Sequence, residues 1–121
     1  MDTTIMIDGK EVKFRATART PRLYRVLTGR DMIKDMNELA KSFKRVQNKD
    51  ENSVDQLGVK DLIIFEDAAF VMAKHAVPDI EAKTSDEWLD GFQIFSIYEI
   101  LPEILKLWAL NNKTTSEAKK N

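Results

Sequence analysis

The segment VKDLIIFEDAAFVMAKHA, residues 59–76, constrains the fold more than any other part of the chain. Apolar residues recur along it at helical spacing, and further apolar neighbours widen the face that they form, so the pattern predicts one long helix. A helix with so wide an apolar face needs other elements to cover it, and we expect it at the centre of the domain. Pro78 predicts its end. The stripe comprises Leu62, Phe65, Ala69, Met72 and Ala76.

Length and composition indicate one domain with a sizeable core. A chain of 121 residues, 43% of them hydrophobic, buries roughly two thirds of the surface that it exposes when unfolded. We place a single domain at residues 1–110 and interpret residues 111–121, NNKTTSEAKKN, as a flexible polar tail. The 19 basic and 20 acidic side chains nearly cancel, so no domain-wide positive charge attracts nucleic acid.

What the sequence lacks excludes several classes of site and leads to an expectation about location. Without cysteine, the chain has no disulfide, thiolate nucleophile or thiolate metal site. The opening MDTTIMIDGK lacks the basic start and apolar stretch of a secretory signal, and no apolar run approaches the roughly 20 residues that cross a bilayer. We expect a protein that contacts no membrane and remains in the compartment where it is made.

The first 16 residues predict a β-hairpin. TIMIDGKEVKFRA alternates apolar and polar residues around Asp8-Gly9, a dipeptide that accepts the positive φ angles of a two-residue turn. Pairing Ile7 with Lys10 sets the register, which places two sets of side chains on opposite faces. The apolar face holds Ile5, Ile7, Val12 and Phe14, and the polar face holds Thr4, Glu11 and Lys13.

Residues typical of helix ends predict two helices after the hairpin. Thr20-Pro21 predicts a short helix with Thr20 as N-cap, and Gly29 predicts its left-handed end. Asp31 is expected to begin a second helix with one apolar stripe and a polar remainder that faces water. The stripe is Met32, Met36, Leu39, Phe43 and Val46, and the remainder is Lys34, Asp35, Glu38, Lys41 and Lys44.

Two less apolar stretches flank the central helix. QNKDENSVDQLG, residues 47–58, has almost no apolar residues and predicts a surface loop. EAKTSDEWLDGF contains Thr84 and Ser85, either of which predicts the cap of a short helix that carries Trp88 and Leu89. The fold class that results is mainly α, a single helical domain with an N-terminal β-hairpin.

FQIFSIYEILPEILKLWAL, residues 92–110, is the most apolar part of the chain. Proline in a helix interior removes a hydrogen bond, so Pro102 predicts two helical pieces that meet near Leu101. Apolar residues cover more than half of the circumference, which leaves two interpretations open. Either the helix is buried centrally, or one side is offered to a second molecule. Ile97, Tyr98 and Trp108 are the candidate contact residues on that side.

No pattern of catalytic or ligand-binding residues is found. His75 is the only histidine and is interpreted as a helix-end residue, favourable when charged beside the last carbonyls. The neighbouring carboxylates Glu66 and Asp67 do not face each other on a helix, and the four glycines lie too far apart to form a phosphate-binding loop. We therefore expect no enzymatic activity, no cofactor and no metal.

Five of the six arginines lie in or beside TARTPRLYRVLTGRD, residues 17–31, although the chain is slightly acidic. Three interpretations stay open: the arginines pair with the protein's own carboxylates, they anchor an acidic or polar partner, or they bind nucleic acid. The last is disfavoured, because only Tyr24 is available to stack on a base. The candidate partner-binding residues of this patch are Arg19, Arg22, Tyr24, Arg25 and Arg30.

ATARTPRLYRVLTGRDMIKDM and SDEWLDGFQIFSIYEILPEILKLWALNNKT, together with IDGKEVKF and EDAAFVMAKHA, resemble the small tail assembly chaperones of long-tailed bacteriophages of Gram-positive hosts. The resemblance covers nearly the whole chain and is weakest in the loop at 47–58. It implies a non-enzymatic protein of the host cytoplasm that binds the tape measure protein during tail assembly and is absent from the virion. Coating a long helical client requires many copies, which favours self-association.

The same resemblance implies a frameshift-extended form that recruits the tail tube protein. Ala118-Lys119-Lys120 can be encoded by GCA-AAA-AAG, which contains a heptamer on which ribosomes slip back by one base. We predict such a heptamer at codons 118–121, followed by an open overlapping frame. The alternatives to the chaperone are a small nucleic-acid-binding accessory protein that uses the arginine patch and a virion tail structural protein.

Overall fold

A computed structural model describes residues 1–47 and 57–119, with side chains to residue 112. In these ranges an antiparallel hairpin precedes five helices, so the predicted mainly helical fold with an N-terminal hairpin is confirmed. Most of the loop predicted at 47–58 lies outside the described residues. The elements are β1 (Asp2–Ile7), β2 (Lys10–Arg15), α1 (Thr20–Thr28), α2 (Met32–Gln47), α3 (Val59–Ala76), α4 (Ser85–Asp90) and α5 (Ile97–Lys119).

The hairpin has the predicted register, with Ile7 opposite Lys10 and Ile5 opposite Val12. Asp8 and Gly9 both have positive φ, 54° and 73°, as a turn that follows the twist of the strands requires. The apolar face lies against the helices, and Phe14 is fully buried. The turn thus fixes which face of the hairpin contributes to the core.

Helix α1 ends as predicted but begins one residue earlier. Gly29 has φ 75° and its N–H donates to the Arg25 carbonyl, 2.7 Å away. Arg19, not Thr20, is the N-cap, and it makes no side-chain cap bond. Thr20 is instead buried, and its Oγ1 accepts a hydrogen bond from the Thr17 N–H at 2.8 Å. Thr20 therefore stabilises the turn that leads into α1. Its side chain does not cap a free N–H group in the first turn of the helix.

Helix α3 has the predicted bounds and lies at the centre of the domain, in contact with β2 and the other helices. Its C-terminal half is buried almost all round, including Phe70, Val71 and Met72. Helix α2 packs on it through the predicted stripe, of which Met36 and Leu39 are fully buried. Asp31 caps α2, since its Oδ1 accepts from the Ile33 N–H at 3.0 Å.

An aromatic cluster around Trp88 joins the hairpin, α3 and α4 to the chain that follows. Thr84 caps α4 as predicted, accepting from the Glu87 N–H at 3.1 Å. Ring centroids of Phe92 and Phe95 lie 5.3 and 5.6 Å from that of Trp88. Residues 92–96 are not helical, which corrects the helix predicted there. Packing on Trp88 outweighs their helical periodicity.

Helix α5 corrects the prediction of two pieces that meet near Leu101. It begins at Ile97 and runs through Pro102 without interruption to Lys119. Asn111, the first residue of the predicted tail, is 8% exposed, and its Nδ2 donates to the Thr17 carbonyl at 3.3 Å. The division at residue 110 stays a prediction, but the helix and its packing continue past it. Among the described residues, no helix has the length and apolarity needed to span a membrane.

Candidate partner-binding surface

Arg30 is the centre of a partly buried network that links α1, α2 and α3. Its guanidinium donates to Asp67 Oδ2 at 2.7 Å, to Asp35 Oδ2 at 2.9 Å and to the Tyr24 hydroxyl at 2.9 Å. The Tyr24 hydroxyl in turn donates to Asp35 Oδ2 at 2.6 Å. Ser85 completes the network by donating to Asp67 Oδ1 at 2.6 Å.

Burial, followed by the hydrogen bond to Asp35, raises the pKa of Tyr24 well above its usual range. Partial burial opposes the charge of Arg30, but the hydrogen bonds to Asp67 and Asp35 outweigh it and raise the pKa of the guanidinium. The network therefore holds a neutral phenol beside a permanent cation, and both are committed to the protein's own side chains.

Three expectations change as a result. Tyr24 is fully buried, which corrects its assignment to a surface patch and removes the one aromatic ring proposed to stack on a base. Arg30 is held by two carboxylates instead of being free for a partner. Asp35, expected to face water, is only 6% exposed. For Arg30, the interpretation as a residue that pairs with the protein's own acids is the one that the structure supports.

The other arginines of the patch fall into two groups: one is paired with the protein's own carboxylate, and the others are not. Arg15 forms an exposed ion pair with Asp2, with Nε 2.9 Å from Oδ1. Arg19, Arg22 and Arg25 are exposed and take part in no ion pair within the described residues. The patch available to a partner is therefore these three side chains of α1 and its N-cap. We refer to them as the α1 arginines.

A groove of about 450 Å³ lies between α1 and the C-terminal half of α3, and Arg19 of the α1 arginines lines it. Its floor is apolar, because Phe70 and Val71 are almost fully buried beneath it. Val26, on its rim, has 78% of its surface exposed. We call this feature the α1–α3 groove. Its lining residues are Arg19, Leu23, Val26, Leu27, Phe70, Val71, Lys74, His75, Pro78 and Lys83.

His75 lines the groove, and its environment corrects the expectation that it is favoured when charged. Nε2 lies 2.9 Å from Thr17 Oγ1, so the ring is tied to the entry of α1. Burial, followed by the positive charges of Arg15 and Arg19, lowers the pKa of His75. The imidazole is therefore more readily neutral than in water.

The residues predicted on the last helix do not join the α1 arginines. Trp108 is 5% exposed and belongs to the core, which corrects its assignment as a surface contact. Ile97 is partly buried against the core, and Tyr98 is 53% exposed. Tyr98 lies thirteen positions before Asn111, the residue of α5 that contacts the entry of α1, and this corresponds to about 20 Å along a helix. Tyr98 and the α1 arginines are thus two separate surfaces.

A second concavity lies on the other side of Leu27 and has the opposite charge pattern. Glu66, Asp67 and Asp86 line it together with Arg30. Burial, then the neighbouring Asp67 charge, raises the pKa of Glu66. Within the part of the chain that the structure describes, no cluster of three or more histidine or acidic side chains has a geometry that holds a metal ion.

The contribution of α3 to the groove was not predicted from the sequence. The sequence predicts α3 only as a core helix, and it has no motif that marks Lys74 or Lys83. One signal was available in the sequence, since Leu23, Val26 and Leu27 are apolar positions on the same short helix as Arg22 and Arg25. Comparison of the chain with protein-family models, curated proteins and solved structures gives no match.

Proposed function

We propose that the protein is a non-enzymatic tail assembly chaperone of long-tailed bacteriophages, which binds the tape measure protein in the host cytoplasm and is absent from the virion. The observation that carries the proposal is the exposed surface of α1, where Arg19 lines the apolar groove and Arg22 and Arg25 are exposed on the same helix. Arginine beside apolar surface is typical of residues that dominate binding between proteins. The family resemblance of the segments around α1 and α5 supports the identity of the client.

This surface favours a protein client over nucleic acid. Arg15 and Arg30 are held by carboxylates, and Tyr24 is buried, so three guanidinium groups remain and no ring from the patch is free to stack on a base. Neutralising few phosphates gives weak, salt-sensitive binding. An apolar groove has no role in phosphate contact, whereas it suits the apolar side chains of a client that must be kept from aggregating.

The test is co-expression with the tape measure protein that a long reading frame just downstream is expected to encode. We expect the client to remain in the supernatant only when the chaperone is present, and to be lost with Arg22→Glu/Arg25→Glu. The matched control is Lys41→Glu/Lys44→Glu, which reverses two exposed charges at the same spacing on α2. A client that is equally dispersed without the protein would contradict the proposal.

Two further measurements separate the alternatives. Tight duplex DNA binding at about 150 mM salt that is lost in the α1 double variant would favour a nucleic-acid-binding accessory protein. Detection of the protein in purified virions would favour a tail structural component. Association with the tail tube protein through a frameshift-extended form belongs to the same proposal. The codons that it requires fall on residues 118–121, the last two of which lie outside the described residues.

A further inference from the structure

The α1–α3 groove has a lining of one charge sign. Arg19, Lys74 and Lys83 line it, and no aspartate or glutamate of the described residues does. Arg22 lies three residues after Arg19 and four before Val26, so helical spacing places it beside the same rim. The neighbouring concavity across Leu27 carries the carboxylates instead. A partner that enters the groove therefore meets cations on its edges, although the chain as a whole is slightly acidic.

The shape of the groove suits a helix. Its α1 side extends from Arg19 to Leu27, a rise of about 12 Å, which corresponds to about two turns of a docked helix. Its opposite wall is held in place by Lys74, whose Nζ donates to the carbonyls of Ile80 and Ala82 at 3.3 and 2.8 Å. The wall is thus formed before a partner arrives, which lowers the cost of binding.

We propose that the α1–α3 groove binds an amphipathic helix whose apolar face is flanked by carboxylates. Apolar side chains of that helix cover Val26 and the floor above Phe70 and Val71, and its carboxylates meet Arg19, Arg22 and Lys83. This is the helix-in-groove mode of recognition with complementary charge on the rim. The inference rests on the proposed function in naming the client's recognition element, while the binding chemistry is tested without any phage protein.

The probe is a labelled peptide of about 20 residues with leucines on one helical face and glutamates beside them, and the control probe carries lysines in place of the glutamates. Fluorescence anisotropy is expected to show at least about tenfold tighter binding of the glutamate probe. Val26→Glu and Lys83→Glu should each weaken that binding by about tenfold or more. Both positions are exposed, so the fold is retained, which far-UV circular dichroism checks.

Two control variants make the test specific. Ile33→Glu places the same charge on an exposed β-branched residue of α2, and Lys41→Glu reverses an exposed charge there. Both should leave the affinity for the glutamate probe unchanged. Equal binding of the two probes, or equal losses in the control variants, would overturn the proposal. Concentration-dependent self-association lost in Val26→Glu, without probe binding, would assign the groove to a second copy and also overturn it.

The results also distinguish this inference from the proposed function. If the tape measure protein is kept dispersed but the glutamate probe does not bind, the chaperone proposal stands and the assignment of the groove fails. If the probe binds at the groove but the tape measure protein aggregates, the groove assignment stands and the client is a different protein with the same kind of helix.

Discussion

The hydrogen bonds of Arg30 and Asp35 connect helices α1, α2 and α3. A carboxylate that is 6% exposed accepts from a phenol and a guanidinium at the same oxygen, and the guanidinium reaches a second carboxylate on α3. No buried polar side-chain atom of the described residues lacks a hydrogen-bond partner. Because the members satisfy one another, removing a single member leaves the remaining ones with fewer hydrogen-bond partners in a partly buried site.

We predict that Asp35→Ala lowers the free energy of unfolding by about 2–4 kcal/mol, because Tyr24 loses its acceptor and Arg30 loses one of two carboxylates. Denaturant titration followed by circular dichroism measures the change. The control is Glu38→Ala on the same helix, which removes an exposed ion pair with Lys60 and should cost at most about 1 kcal/mol. Equal losses in the two variants would show that the network contributes no more than a surface pair.

His75 predicts a pH dependence of stability. Its folded pKa lies below the ordinary value of 6.5, so the unfolded chain takes up the proton first as the pH falls. Its contribution to stability is therefore complete above about pH 6.5 and is lost as the pH falls toward the folded pKa.

The measurement is the free energy of unfolding at about pH 7.5 and about pH 5.5 for the wild type and for His75→Gln. Glutamine can still reach Thr17 but does not titrate. We expect the wild type to lose more stability than the variant over this range. Since the chain has one histidine, the difference between the two proteins isolates its effect. Equal losses would mean that His75 has the same pKa in both states.

At the level of elements, local signals in the sequence were sufficient where neighbours in the chain decide the structure. Asp8-Gly9 set the hairpin register, Gly29 ended α1, and the long apolar pattern gave the bounds of α3. Local signals failed where residues distant in the chain decide the structure. Residues 92–96 leave the helical pattern because their rings pack on Trp88 and the Gln93 N–H donates to Asp8 Oδ2 at 3.0 Å.

The candidate site follows the same rule. Arginines at 19, 22 and 25 could be placed on the surface because they are close together on one short helix. Arg30 could not, because its partners lie 5 and 37 residues away in the chain. The α1–α3 groove requires two elements whose packing no local pattern specifies. Spacing along the chain therefore predicts which charged residues lie on the surface. It does not predict which of them pair with acidic residues from distant parts of the chain.

Two glycines at helix ends give a prediction for the elements. Gly29 has φ 75°, whereas Gly58, before α3, has φ −75° and an N–H that donates to Asp61 Oδ2 at 3.2 Å. Gly29→Ser should lower the free energy of unfolding by about 1 kcal/mol, because a side chain is strained at positive φ. Gly58→Ser should change it by a few tenths at most, or raise it, since serine is a preferred N-cap.

Thermal and denaturant unfolding of the two serine variants provides the measurement. Space does not decide the comparison, because a Cβ at Gly29 would meet no atom within 4 Å and one at Gly58 would meet Asp61 at an ordinary 3.8 Å. The backbone conformation at each glycine and the capping preference of serine at Gly58 therefore decide it. A larger loss at Gly58 than at Gly29 would contradict the argument from φ.

At the level of the whole molecule, two exposed regions of the part that the structure describes differ in their chemistry. One is the basic α1–α3 groove, and the other is the apolar surface at the start of α5, where Ile94 and Tyr98 are 66% and 53% exposed. Exposed apolar surface of this kind is typical of protein contacts. The proposed chaperone role requires that a client and a second copy bind at the same time, and two unlike surfaces on one chain are compatible with that requirement.

The last prediction distinguishes the exposed residues of α5 from those that belong to the core of the protein. If the start of α5 is a contact between copies, sedimentation at rising concentration shows assemblies of the wild type, and Tyr98→Glu dissolves them without unfolding. The fold tolerates that change because Tyr98 is exposed and lies in the first turn, where a carboxylate is favourable. A wild type that stays monomeric at all concentrations would contradict this role for Tyr98.

Trp108→Glu is the contrasting variant on the same helix. Trp108 is 5% exposed, so the substitution removes a large apolar side chain from the core and places a charge there, which should cost at least about 3 kcal/mol and unfold much of the protein. Loss of near-UV circular dichroism and a fall in melting temperature are the expected results. If Trp108→Glu instead stayed folded and only dissolved the assemblies, Trp108 would belong to the contact between copies, because a buried position cannot accept a carboxylate at so low a cost.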